Sequence, residues 1–207
     1  MNQQALLDGV LAGVALWAAW GPGRALPALR LGAALLAAAA VLGTLKFSGL
    51  LPLPELHQSM SMFAAGVGLP LLGVAMVWPD GVVARERRYA WIFGVAAAVM
   101  CVLVAVVGGI KLWPSVCALL AVVAMGLASS LRRQWWGAAA AACMLLALVG
   151  FAAKRNLGPL APGDVLHVGL ALGLWLYAGW VRQTVGTGAL GSQGAPGATA
   201  ASVADRS

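Results

Sequence analysis

The sequence predicts an all-α, polytopic membrane protein of seven transmembrane helices, and three features carry that expectation. The chain is 62% hydrophobic and only 9% charged, with a mean hydropathy of +0.91, whereas soluble domains hold about 25% charged residues. Its apolar residues gather into seven continuous runs. A helix needs roughly 20 such residues to cross about 30 Å of hydrocarbon. The runs are continuous rather than alternating, which excludes a β-barrel. Within lipid they must be helices, because each then satisfies its own backbone hydrogen bonds.

The runs cover residues 5–20, 28–50, 56–78, 90–110, 112–131, 135–153 and 165–181. The opening residues "MNQQALLDGV" lack the basic start of a signal peptide, so the first run is expected to be retained. The separators are "GPGRALP", "LPLPE", "WPDGVVARERR", "GGIKLWP", "LRRQ" and "KRNLGPLAPGD", all rich in turn formers and charge. Residues 1–182 thus form one transmembrane domain. Beyond Arg182 the residues are small and polar, without apolar periodicity. That composition predicts a disordered cytoplasmic tail over 183–207. The three cysteines, Cys101, Cys117 and Cys143, sit mid-run without metal-ligand or redox spacing and read as helix-packing residues.

A net charge of +7 and a pI near 10.2 do not signal nucleic acid here. The basic residues come as short groups between apolar runs rather than along one polar face. They set orientation instead. Arg24, Arg30, Arg85, Arg87, Arg88, Arg132, Arg133, Arg182 and Arg206 fall on one side, and Lys46, Lys111, Lys154 and Arg155 on the other. The arginine-rich side is expected to be cytoplasmic, with the N-terminus outside and the C-terminus inside a plasma (inner) membrane. Trp17, Trp20, Trp78, Trp91, Trp135, Trp136 and Trp180 sit at the same inner-face helix ends, where indoles settle.

Both histidines open an apolar run. Residues 31–60 and 136–170 each run from a Gly and an Ala-rich helix through a Lys and a Gly-Leu-Pro-type turn to an acid and Leu-His. This likeness suggests a parallel 3+1+3 repeat, with the fourth run as connector.

Ionisable groups in membrane spans point to function, and those of interest lie on the expected outer side. They are Asp8, Lys46, Glu55, His57, Asp164 and His167, accompanied by Ser48, Ser59 and Ser61. His57 and Ser61 are four apart and share a helix face, as do Asp164 and His167, three apart. Two imidazoles and a carboxylate would suit Zn²⁺ with an open position for water, and zinc would activate that water for hydrolysis. The expected metal set is therefore His57, Asp164 and His167, with a serine such as Ser48 holding an oxyanion. Each group also has an ordinary role: Asp164 as a helix cap, Glu55 in a first helical turn, and Lys46 snorkelling to headgroups.

The segment "GDVLHVGLALGLWLY" resembles the last-helix signature of the seven-span hydrolase superfamily of alkaline ceramidases, progestin/adipoQ receptors and haemolysin III-like proteins. That signature carries two zinc-binding histidines. His167 matches the second, and Gly163 stands where the first would be. In "KFSG" and "PELHQSMS", Ser48 matches the family's serine and His57 sits where its aspartate would. The histidine expected after the serine is absent. The resemblance implies a membrane-embedded, metal-dependent hydrolase acting on a lipid or amide at the outer face. Composition and repeat leave two alternatives. One is a small-solute transporter or binding protein with Asp8, Lys46, Glu55 and both histidines in an outer vestibule. The other is a membrane partner subunit without catalysis.

Overall fold

The computed structural model describes residues 2–191 apart from Pro52, Arg155 and Leu157, with side chains through Arg182. Seven long helices account for most of it: α1 (Gln3–Trp20), α2 (Pro27–Phe47), α3 (Pro54–Val77), α4 (Arg87–Val107), α5 (Trp113–Leu131), α6 (Trp135–Ala152) and α7 (Pro162–Gly191). All but α1 are long and apolar enough to cross a membrane. The exception is 18 residues long and carries Gln3, Gln4 and Asp8. The chain therefore has the character of a multi-pass helical membrane protein.

Local chemistry explains where the helices begin and end. The Asn2 side chain accepts the Gln4 amide and caps α1. Proline occupies the first turn of α2, α3 and α5, where its missing N–H costs nothing. The second run was expected to extend to residue 50, but α2 stops at Phe47. There the chain turns at Gly49, with φ 77°. Likewise α4 ends at Val107 rather than 110, because Gly109 takes φ 69°. At the other terminus α7 continues to Gly191, into the segment expected to be disordered. No proline intervenes there, and each added helical residue gains a backbone hydrogen bond. The rest of the expected tail, 192–207, lies outside the described residues, as do Arg155 and Arg206 of the charge count.

Six helices close into a ring. In order, α1 packs on α2, α2 on α3, α3 on α5, α5 on α6, α6 on α7, and α7 again on α1. Outside the ring lies α4, with 17% of its apolar window buried against 50% for α2 and 56% for α3. Small residues permit the tight contacts, as expected where helices meet in lipid. Gly32 of α2 lies against the Gly68 carbonyl of α3, so close that a Cβ at either glycine would crowd the other helix. All three cysteines are free, with Cys101 buried and the others partly so.

Two ends of the ring follow from its contacts. Asp8 at the start of α1 meets Gly43 near the end of α2 and His167 at the start of α7. At the opposite end Arg132, just after α5, donates to the carbonyls of Met76 and Val77 and so closes the last turn of α3. Arg30 lies 5.8 Å over the Trp20 ring, joining α2 to α1.

Candidate functional site

The site grows from one misfit. Asp8 is 1% exposed, and a buried carboxylate is tolerated only with partners. One turn and a half into α1, it projects across to α2, where Gly43 leaves room: a Cβ there would collide with both carboxylate oxygens and the carboxyl carbon of Asp8. On its other side His167 Nε2 lies 3.2 Å from Asp8 Oδ1. This carboxylate–imidazole contact is not aligned as a hydrogen bond, and among the described residues neither Asp8 oxygen has a hydrogen-bond partner.

His57 completes the arrangement. It lies in the first turn of α3, where its imidazole stands edge-on to Phe47 at 5.8 Å. The imidazole also reaches the Ala39 carbonyl of α2. Ser61 Oγ donates to the His57 carbonyl at 2.8 Å, fastening the same turn. Asp8, His57, Ser61 and His167 all line one cavity of about 100 Å³ inside the ring, walled by Leu11, Leu36 and other aliphatic side chains. Such a space admits a few waters or a small headgroup and is far below a drug-sized site. Among the described residues the Nδ1 atoms of both histidines are buried without hydrogen-bond partners.

The two histidines expected to share a site therefore do share a cavity, although they come from helices far apart in sequence. The carboxylate against His167 is not the expected one. Asp164 was expected to cap α7 or to ligate a metal beside its neighbour three residues on. It is 3% exposed, but its Oδ2 accepts the Ala161 amide at 3.1 Å. The third residue of α7 thus reaches back to the amide preceding Pro162, one half of a capping box. Asp164 does remain within electrostatic range of Asp8 and His167.

The other predicted polar residues stay outside the cavity. Ser48, Glu55 and Ser59 are exposed, and the Ser48 hydroxyl donates to Leu45 O. Lys46 is half-buried, with Nζ 4.8 Å over the Phe47 ring, and its charge acts on both Asp8 and His57. Among the described residues no three His, Cys, Asp or Glu side chains form a group that could hold a metal ion. Of the expected zinc set, His57 and His167 share the cavity, whereas Asp164 is turned to the Ala161 amide. Gly43 is the residue the sequence reading missed. Its only signal was a glycine inside an Ala-rich helix, three residues before a lysine.

No family model, curated protein or solved structure matches this chain.

Proposed function

We propose that the chain is a membrane-embedded hydrolase acting on an ester or amide at one face of the bilayer, with Asp8, His57 and His167 as its acid–base centre. The observation that carries this reading is the Asp8–His167 contact at 3.2 Å on a cavity that His57 and Ser61 also line. A carboxylate beside an imidazole is a recurrent proton-transfer unit. It orients the ring and steadies the imidazolium that forms. In this scheme His167 takes a proton from water as that water attacks the carbonyl. Protonated His57 gives its own proton to the departing alcohol or amine, and Asp8 holds the charge on His167 until the captured proton passes to His57 and resets the pair.

Depth supports a site at the face. Asp8, His57 and His167 each lie within about a turn and a half of a helix start, so within roughly 8 Å of that end. Transporter sites sit near the bilayer midplane. The small cavity fits a reacting headgroup with its chains left in lipid. All seven long helices, α1 included, would then span an inner membrane. The arginine end would face the cytoplasm and the catalytic end the outside. The ring order also suits the 3+1+3 repeat: a two-fold axis exchanging α1 with α5, α2 with α6 and α3 with α7 leaves it unchanged, with α4 outside. His57 and His167 would then be counterparts.

The test is hydrolysis of fluorogenic ester and amide lipids by the purified protein in nanodiscs. Turnover should fall at least about 100-fold in Asp8→Asn and in His167→Ala. Turnover equal in wild type and both variants would sink the assignment. Metal analysis of the same samples reads the zinc alternative directly: near-stoichiometric zinc, lost in both His57→Ala and His167→Ala, would replace the metal-free scheme.

A further inference from the structure

At the opposite end of the ring the structure holds a second, larger cavity of about 490 Å³. Trp17 of α1, Trp136 of α6, and Trp175 and Trp180 of α7 wall it, with Arg182 at the rim and Gly179 leaving space between turns. Its volume lies within the range of small-molecule sites. Four indoles are an apolar lining with polar edges, the chemistry of the level where acyl chains meet headgroups.

Charge selects the occupant. Among the described residues no Asp or Glu lines this cavity, and Arg182 supplies a guanidinium suited to a phosphate. The start of α6 lies beside it, with Trp136 as that helix's second residue. First-turn amides and the helix dipole add positive potential there. This end also carries Arg24, Arg30, Arg85, Arg87, Arg88, Arg132 and Arg133, against Asp80 and Glu86 among the described residues. A ligand that is anionic at one end and apolar along its length satisfies both observations.

We infer that the cavity between α1, α6 and α7 is a binding site for an anionic phospholipid, its phosphate on Arg182 and its glycerol and upper acyl segments among the four tryptophans. This site stands apart from the Asp8 cavity and does not depend on the hydrolase reading. The lipid here is a bound component at the arginine end, not a substrate.

The test is lipid retention. Protein purified in a neutral detergent is offered phosphatidylglycerol or phosphatidylcholine with identical chains, and native mass spectrometry counts the lipid that stays bound. Phosphatidylglycerol should be retained over phosphatidylcholine. Arg182→Gln should lower its retention about fivefold, the effect of one basic residue on an anionic lipid, and Trp175→Ala should lower it as well. Arg133→Gln, at the same end but outside the cavity, should leave retention unchanged. Both arginine variants alter exposed side chains, so folding, followed by circular dichroism, should be preserved. Equal retention of the two lipids would overturn the site. So would an equal loss in Arg182→Gln and Arg133→Gln, which marks diffuse attraction. Complete displacement of the lipid by millimolar inorganic phosphate would assign the cavity to a free anion and overturn it too.

Discussion

The two ends of this bundle treat charge in opposite ways. At one end a carboxylate and two imidazoles are drawn inside the ring, around a cavity of about 100 Å³, with most of their polar atoms unsatisfied. At the other, arginines stay at the surface and reach backbone carbonyls, a tryptophan ring or a carboxylate, as Arg132, Arg30 and Arg85 do. Exposed charges of the second kind cost little and orient the chain. Buried, unsatisfied groups of the first kind cost stability, and proteins keep such arrangements where chemistry needs them. Function should therefore be concentrated at the Asp8 end and stability spread over the arginine end.

Substitutions can break that division. The largest effect should come from Asp8→Asn, with hydrolysis down at least about 100-fold and the thermal midpoint unchanged or raised, because a buried charge is removed. A large drop in the midpoint, with activity per folded molecule intact, would make Asp8 structural. Next comes Gly43→Ala, which pushes a methyl group into the Asp8 carboxylate. Overpacking of this kind costs about 1–3 kcal/mol, so both activity and thermal midpoint should fall. A wild-type midpoint would show that α1 and α2 separate freely at Asp8. Arg132→Ala should cost stability alone, about 1 kcal/mol for the lost bonds to Met76 and Val77, with turnover at wild-type levels. Smallest is Asp164→Ala. It removes one half of a capping box and should cost under about 1 kcal/mol. A hundredfold loss of activity there would restore Asp164 to the centre and displace Asp8 from it.

Much of the architecture could be read from hydropathy, because apolar run length is a strong constraint in lipid. The positions of the seven long helices follow the seven runs closely. Their ends were less legible, since Gly49 and Gly109 decide them by backbone conformation rather than by hydropathy. The candidate site was legible in its histidines, and Asp8 stood among the outer-side groups, but as the acid beside His167 the sequence favoured Asp164. Asp164 is three residues from His167, and sequence spacing favours such local pairs. The partner actually placed at His167 is 159 positions away on another helix. Only the closure of α7 onto α1 brings it there, and no periodicity within a single run encodes that closure.

The winding of α3 is not uniform along its length. Between Ala64 and Gly68 the helix widens into a π-helical segment, in effect one extra residue in the winding. Below it Gly73 rests on Ala121 of α5; above it His57 and Ser61 turn to the cavity. The segment works as a phase shifter, letting two stretches of one rod address different neighbours at once. Deleting a residue such as Ala65 would restore the ordinary winding and swing the upper stretch by about 100°. His57 would then sweep out of the cavity while the lower contact held.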